Sequence, residues 1–375
     1  MTHTCKEPSL TPRISLLRWC GLALSLLLGT AVHAASEKTT LTPIEADFTV
    51  RSFKFSSGEQ LPSLRLHYAT LGTPARNRDG EITNAVLILH STASSHQQFL
   101  SDRFAGVVFG PGQPLDIRHY FVILPDAIGH GASSKPSDGL HARFPAYDYD
   151  DMVAAQHTLV QAGLGVNHLR LILGTSMGCM HSWVWAEKFP GFMDAVVPLA
   201  CLPAPLAGRN RMWRTMITEG IRQDPQWQGG DYKDQPKEAL RAAVGMMLIA
   251  GSGALELQQL AGSGDAAASY LDKYVEHRMP TLDANDLLYA VNSSQDYDPS
   301  PRLGTITARV LHINFADDFI NPPELNIAER AIKAVRHGQF VLVPISAATH
   351  GHVTHTYAQF YSQDLRNLLA ATGTK

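Results

Sequence analysis

The chain has 375 residues, of which 45% are hydrophobic and 17% charged, with a formal net charge of −3. This composition suits a well-buried globular enzyme and excludes a disordered chain; no Lys/Arg run marks a polyanion site, so no nucleic-acid partner is expected. The length holds one large α/β domain with an insertion, or two ordinary domains.

Residues Met1 to Ala34 read as a signal peptide. Arg13 and Arg18 form a basic start, Gly21 to Leu28 a short apolar stretch, and Val32-His33-Ala34 an acceptable cleavage site. The apolar run is too short for a comfortable membrane span. Cleavage after Ala34, a periplasmic or secreted mature protein and no stable membrane insertion are the expectations. Loss of Lys6, Glu7, Arg13 and Arg18 leaves the mature chain at about −5. Cys5 and Cys20 leave with the leader, and Cys179 and Cys201 remain. Export permits a disulfide between them. The sequence does not set the required Cα separation, and two buried free thiols are expected.

Ala46 to Phe55 and Leu61 to Gly72 read as antiparallel strands, with mostly alternating residues over Leu64 to Tyr68. Asn84 to His90 is a nearly continuous apolar run, as in a strand covered on both faces, and breaks into the small-residue loop from Ser91 to Ser95. Tyr120 to Leu124 is a fourth strand. Tyr149 to Leu164 has helical spacing at Met152, Val153, Gln156 and Val160, with Asp148 as N-cap and Asp151 three residues on.

Leu171-Ile172-Leu173-Gly174-Thr175-Ser176-Met177-Gly178 then runs an apolar strand into Gly-x-Ser-x-Gly, followed by a helix from Met177 to Phe189. This is the pattern of a nucleophile elbow, a sharp strand-to-helix turn with Ser at its tip. A side chain at Gly174 or Gly178 would collide with the neighbouring strand or helix. The helix N-terminus favours negative charge developing beside Ser176.

Ala195 to Ala200 is the next strand. From 203 to 301 the pattern turns helical and Met/Leu-rich, which predicts a helical cap inserted into the sheet domain. Trp213, Met216, Met246, Met247 and Leu248 read as ordinary cap core rather than an acyl pocket. Strands resume at Thr305 to Phe315 and Gln339 to Ile345, with helices over Pro323 to Val335 and from about Thr354 to Ala370. The expected fold is therefore α/β, an α/β-hydrolase fold with a mostly parallel eight-stranded sheet flanked by helices. Its domains are 1–34 (leader), 35–202 with 302–375 (core) and 203–301 (cap).

In such a fold the partners of the nucleophile follow in the order acid, then His. Asp318, just past the Phe315 strand and four residues before Pro322, is the preferred acid, with Asp317 the alternative. His352, after Gly351 and the last strand, is the preferred base, with His350 and His355 as fallbacks. Three His within six residues also raise zinc. Their spacing matches no helix-face ligand pair, so neither metal nor other cofactor is expected. The backbone N–H groups of Met177 and Thr92 are the expected oxyanion donors. His90 reads as structural.

With these parts placed, the chain from about Leu61 onward resembles the homoserine O-acetyltransferase family of α/β-hydrolases. The resemblance rests on Phe144-Pro145, Asp151 to Gln156, Gly174 to Met180, Trp185-Ala186, Phe189-Pro190, Asp224-Pro225, Gly229 to Tyr232 and Asp283 to Asp286 with Leu288-Tyr289. It implies a helical cap over a deep tunnel and a ping-pong acyl-enzyme mechanism on Ser176 with Asp318 and His352. Several positions depart from the family. Thr175 and Cys179 replace glycines of its usual Gly-Gly-Ser-Met-Gly-Gly elbow. Thr218 stands where its transferases carry a substrate-gripping Arg, and Val353 where they carry Asp. Gly129 to Asp138 looks like an ordinary hydrolase loop. Acetyl-CoA, moreover, is a cytoplasmic metabolite.

The favoured reading is an exported serine hydrolase acting on an ester, thioester or amide of a small or medium acyl group. The alternatives are an acyltransferase passing the acyl group from Ser176 to a hydroxyl or amine, and a non-catalytic binding protein on the same fold. The expected partner is a small-molecule acyl substrate, and a homodimer through the cap is a further expectation.

Overall fold

The computed structural model describes Met1 and residues 41–373. The expected leader, apart from Met1, lies outside the described residues. Strands β1 (Ile44–Lys54) and β2 (Gln60–Leu71) form an antiparallel hairpin. β3 (Ala85–Leu89), β4 (Phe121–Pro125), β5 (Leu171–Thr175), β6 (Ala195–Leu199), β7 (Arg309–Phe315) and β8 (Gly338–Val343) complete one sheet of order β1-β2-β4-β3-β5-β6-β7-β8. β2 meets β4 antiparallel, and every pairing from β4 to β8 is parallel.

The continuous apolar runs follow from burial on both faces. Successive side chains point to opposite sides. Leu87, Leu89, Ile123, Ile172 and Val196 therefore pack with α2 (Tyr149–Thr158) and α3 (Met177–Lys188) on one face. Val86, Ile88, Val122, Leu171 and Val197 pack with α1 (Ala105–Val108) and the last helix, α10 (Ser362–Thr372), on the other. Helix α2 starts where its capping residues place it: Asp148 accepts from the Asp151 N–H, and Asp151 accepts from the Asp148 N–H. Ser56, in the β1–β2 turn, donates to both carboxylates and so ties the hairpin to this helix.

Between β6 and β7 run α4 (Gly208–Gln223), α5 (Lys237–Gly251), α6 (Ala254–Leu260), α7 (Gly264–Arg278) and α8 (Ala284–Asn292). Trp213, Ile217 and Ile221 of α4 pack against Leu240 and Ala243 of α5 and Leu287, Leu288 and Val291 of α8. Met246 and Met247 pack against this cluster and Leu248 is buried, as expected of cap core, but Met216 is 59% exposed and belongs to the outer face of α4. Ala93 and Ile320, from two loops of the sheet domain, pack against the same cluster. That contact seats the cap over the C-terminal ends of the strands, where ligands bind in α/β folds.

Three further expectations are corrected. The helix expected over Pro323 to Val335 is broken into short turns around α9 (Ile327–Ala331), because Asn326 takes a left-handed φ of 51°. The C-terminal helix begins at Ser362; residues 351–360 form two 3-10 turns that keep the His loop folded back, anchored by the Ala358 N–H on the Arg103 carbonyl. Cys179 and Cys201 are not free thiols. They form a disulfide with a Cα separation of 5.9 Å. The parallel β5–β6 register brings the first turn of α3 beside the residues that leave β6, so proximity comes from the sheet rather than from the intervening sequence.

Closing a loop of this length contributes about 3 kcal/mol in the chain-entropy picture. The Cys179→Ala/Cys201→Ala double variant is expected to lose about that much unfolding free energy in urea. The leader-free wild type, denatured without reductant, is expected to show no titratable thiol; two thiols there would sink the assignment.

Glu187 on α3 supplies a second prediction. One of its carboxylate oxygens is buried without a hydrogen-bond partner among the described residues. Burial pushes its carboxyl up to about 8, with Arg302 opposing and Asp150 and Asp298 adding to the rise. From about pH 4.3, the ordinary Glu value, to about 8, the unfolded chain releases a proton that the folded chain keeps. Stability therefore falls as pH rises through that window. Glu187→Gln removes this penalty. It is expected to gain roughly 1–2 kcal/mol over wild type at pH 9, after solvent screening, and little at pH 5. Equal effects at both pH values would refute the account.

Candidate active site

The site is built on the turn between β5 and α3. Ser176 sits at φ 54°, ψ −107°, a conformation that costs about 1–3 kcal/mol and must be held by its surroundings. The Ser176 N–H donates to the Leu199 carbonyl of β6 at 2.8 Å, and the Gly178 N–H to the His90 carbonyl at 3.0 Å. A Cβ on Gly174 would strike the Gly178 carbonyl and Ser182 Oγ, and one on Gly178 would strike the Leu89 backbone. Both glycines are therefore required by close approach, as the sequence pattern implies.

Thr175, one of the departures from the family elbow, has a structural use. Its buried hydroxyl accepts from Gln98 Nε2 at 2.9 Å, lies 3.1 Å from Ser91 Oγ and donates to the Leu89 carbonyl. A glycine there could not tie the elbow to the β3 loop. His90 is structural, as expected. Its Nδ1 lies 2.8 Å from the Ser91 carbonyl and its Nε2 accepts from the Ala127 N–H at 3.0 Å. Those partners fix the neutral Nδ1–H tautomer, and burial pulls its pKa down.

The structure brings Ser176, His352 and Asp318 together. His352 Nε2 is 2.8 Å from Ser176 Oγ, and His352 Nδ1 is 2.8 Å from Asp318 Oδ2. A carboxylate only accepts, so Nδ1 carries the proton and Nε2 is free to accept from the serine hydroxyl. Asp318 is buried and held in place. Its Oδ1 accepts from the N–H groups of Ile320 and Asn321, and its Oδ2 also accepts from Asn321 Nδ2 at 2.9 Å. The same Asn321 amide reaches the Ala200 carbonyl at 3.0 Å, which fastens the acid loop to the end of β6. Asn321 was missed from sequence; its place three residues after Asp318 was the available signal.

The fallback residues go elsewhere. Asp317 Oδ2 accepts from the Gly351 N–H at 3.0 Å, so this carboxylate braces the His loop rather than the imidazole. His350 lies 2.7 Å from Glu256 of α6 and stacks on Tyr357. His355 is buried, packs edge-on against His352 at 5.1 Å and lies 3.4 Å from Ser91 Oγ. Burial, helped by His352 and Arg103, holds its pKa well below the ordinary value, so it stays neutral. The three histidines of this loop diverge to three different partners. Gly351, at φ 63°, is required because a Cβ there would meet the Ser252–Gly253 backbone between α5 and α6.

Met177 opens α3, so its N–H is one of the first donors, which have no intrahelical acceptor. Thr92 stands in the β3 loop between Ser91 and Ala93, and its buried hydroxyl has no partner among the described residues. Ala93 takes a φ of 53°, and Arg278 of α7 donates from Nη2 to its carbonyl at 2.7 Å. Nothing in the local sequence marks Arg278; only the cap's position over the loop does. Beside this contact is a cavity of about 380 Å³ lined by Ala93, Gln98, His130, Lys135, Arg278 and Asp286, among others. A larger cavity, about 870 Å³, is lined by Asn84, Tyr120, Arg170 and Asp194, at the opposite ends of β3, β4, β5 and β6, and has no part in this site.

Such an arrangement can deprotonate a serine and stabilise an imidazolium as it does so. Comparison with known proteins agrees with the geometry. Residues 84–348 match the family model for the alpha/beta hydrolase fold. The homoserine O-acetyltransferase of Leifsonia xyli subsp. xyli is 30% identical over 313 residues, covering 73% of this chain and 76% of that protein. Among solved structures, an acetylester hydrolase from Corynebacterium glutamicum superimposes with a TM-score of 0.75 at 22% identity, covering 87% of this chain and 96% of that one. A homoserine O-acetyltransferase from Bacillus anthracis gives 0.77 at 20%, covering 87% and 97%. At these identities the two structures speak for the fold alone. Sequence and architecture together establish that the chain belongs to the homoserine O-acetyltransferase-like family of α/β-hydrolase-fold enzymes.

Proposed function

We propose that the protein is an exported serine hydrolase that cleaves an ester, thioester or amide of a small or medium acyl group through an acyl-Ser176 intermediate. The observation that carries this reading is the unbroken hydrogen-bond chain Ser176–His352–Asp318. In the first half-reaction His352 Nε2 takes the Ser176 proton as Oγ attacks the carbonyl carbon. The Met177 and Thr92 N–H groups receive the charge that develops on the carbonyl oxygen. Collapse expels the leaving group, which takes the proton from His352. Water then enters, loses a proton to the same nitrogen and attacks the acyl carbon; collapse breaks the bond to Ser176 Oγ, which takes that proton back from His352 as the acid leaves. Asp318 holds the imidazole in the required tautomer throughout.

Three considerations favour water as the acceptor. Thr218 is buried and spends its hydroxyl on the Thr215 carbonyl at 3.2 Å, so it offers no charge to grip an amino-acid acceptor. A leader over Met1 to Ala34, as the sequence pattern reads, would take the protein away from cytoplasmic acyl-CoA. The Cys179–Cys201 disulfide suits an oxidising compartment. The second reading, acyl transfer to a hydroxyl or amine, draws on the sequence likeness to homoserine O-acetyltransferases. Both readings share the acyl-enzyme and differ in what attacks it.

A fluorophosphonate probe is expected to label wild type and not Ser176→Ala. Failure to label folded wild type would remove both enzymatic readings and leave a binding protein. His352→Ala is expected to abolish the acyl-enzyme burst with p-nitrophenyl esters, and Asp318→Asn to lower kcat roughly 10³–10⁴-fold. Loss of the burst in His355→Ala, with His352→Ala active, would overturn the base assignment. Added hydroxyl or amine acceptors are expected to leave p-nitrophenol release unchanged and to yield no acylated acceptor by mass spectrometry; an acylated product would transfer the assignment to the second reading.

Export has its own check. Protein recovered from the periplasm or medium is expected to begin at Ala35 by N-terminal sequencing. Full-length chain confined to the cytoplasmic fraction would contradict the leader.

A further inference from the structure

Away from Ser176, two histidines converge on one carboxylate at the edge of the sheet. β1 and β2 pair with Asp47 opposite His67 and Ala46 opposite Tyr68, so Glu45, two residues before Asp47, shares a face with both. His96, in the loop that follows β3, comes up to the same spot. His67 Nε2 is 3.5 Å from Glu45 Oε2, and His96 Nε2 is 3.4 Å from Glu45 Oε1. The three prospective ligand atoms lie within 4.8 Å of one another.

The far nitrogen of each ring is committed. His67 Nδ1 is 2.8 Å from Asp47 Oδ1, and His96 Nδ1 is 3.0 Å from Asp126 Oδ1. Asp126 is itself buried and fixed by the N–H groups of His96 at 2.7 Å and Ala132 at 2.9 Å. Since carboxylates only accept, both Nδ1 atoms carry protons, and each ring turns its Nε2 toward Glu45. Gln97 fits this tautomer for His96: its amide nitrogen, a donor, lies 2.8 Å from His96 Nε2 and 3.3 Å from Glu45 Oε1.

We propose that Glu45, His67 and His96 form a binding site for a divalent transition-metal ion of the zinc class. Zinc bonds of about 2.0–2.1 Å in a tetrahedron put neighbouring ligand atoms about 3.3–3.4 Å apart; each Nε2 stands near that distance from one of the two Glu45 oxygens, Oε2 for His67 and Oε1 for His96. A carboxylate behind each imidazole is the arrangement that orients histidine ligands and raises their basicity. Imidazole and carboxylate donors select zinc and its neighbours over magnesium or calcium. The side chain of Glu45 is 45% exposed, which gives an ion access, and Gln97, on the surface, can swing aside or turn its amide oxygen inward as a fourth ligand. The other His/Cys group among the described residues, Cys179, Cys201 and His312, has both sulfurs in the disulfide and offers no thiolate.

The three ligands come from the edge strand, its neighbour and the loop that also carries Thr92. A bound ion would tie together segments remote in sequence, and binding to the folded state alone raises stability.

The test uses untagged, leader-free full chain stripped with a chelator and titrated with Zn²⁺ alone by calorimetry. One ion per chain is expected. Affinity is expected to drop at least 100-fold in His67→Gln and in Glu45→Gln, and about 10- to 100-fold in Asp47→Asn, which touches no metal. Zn²⁺ is expected to raise the thermal midpoint of wild type and not of Glu45→Gln. Glu45 is exposed, so this variant folds without metal, and circular dichroism checks that it does. Absence of saturable one-to-one binding would overturn the proposal. So would binding of equal affinity in His67→Gln and Glu45→Gln, which would place the ion elsewhere, for instance on the His350–His355 loop.

Discussion

The strained turn at Ser176 is the constraint on which the rest of the site depends. A non-glycine residue at φ 54° persists only where packing leaves no alternative. Here α3 lies so close to β3 and β5 that Gly174 and Gly178 have no room for a side chain, and the Ser176 and Gly178 N–H groups are both taken by neighbouring strands. The Thr175 hydroxyl and the Cys179–Cys201 disulfide secure the two flanks of the same turn, one to the β3 loop and one to the end of β6. The serine oxygen is thereby held where a helix N-terminus and an imidazole both reach it.

The cap is more than a cover. Each loop that serves Ser176 is held partly from the cap side. Ile320, beside Asp318, packs into the cap core, and Arg278 holds the carbonyl next to Thr92. The His loop approaches the α5–α6 junction backbone to backbone at Gly351 and Gly253, while His350 pairs with Glu256. Substitutions in the cap therefore have a direct route to the geometry around Ser176.

Roles assigned to neighbouring residues of one type separated by small differences in direction. Asp317 and Asp318 are adjacent, yet one braces a backbone N–H and the other faces an imidazole. His350, His352 and His355 lie within one short loop and point to Glu256, Ser176 and Ser91. Two helical turns and a positive φ at Gly351 set those directions, and neither composition nor spacing encodes them uniquely.

The sequence by itself determined the features that local chemistry dictates. Apolar runs and alternation placed all eight strands, the Asp148–Asp151 pair marked the start of α2, and Gly174 and Gly178 marked the elbow. These signals operate over a few residues, through alternation, capping and steric exclusion. What only the tertiary structure decided is proximity across the sheet. The pairing of Cys179 with Cys201, the hold of Arg278 on Ala93, the clamp of Asn321 between Asp318 and Ala200, and the convergence of Glu45, His67 and His96 all join segments that meet through strand order and register. A distance of a few ångströms between residues tens or hundreds of positions apart is set by the packing of whole elements, and no local pattern records it.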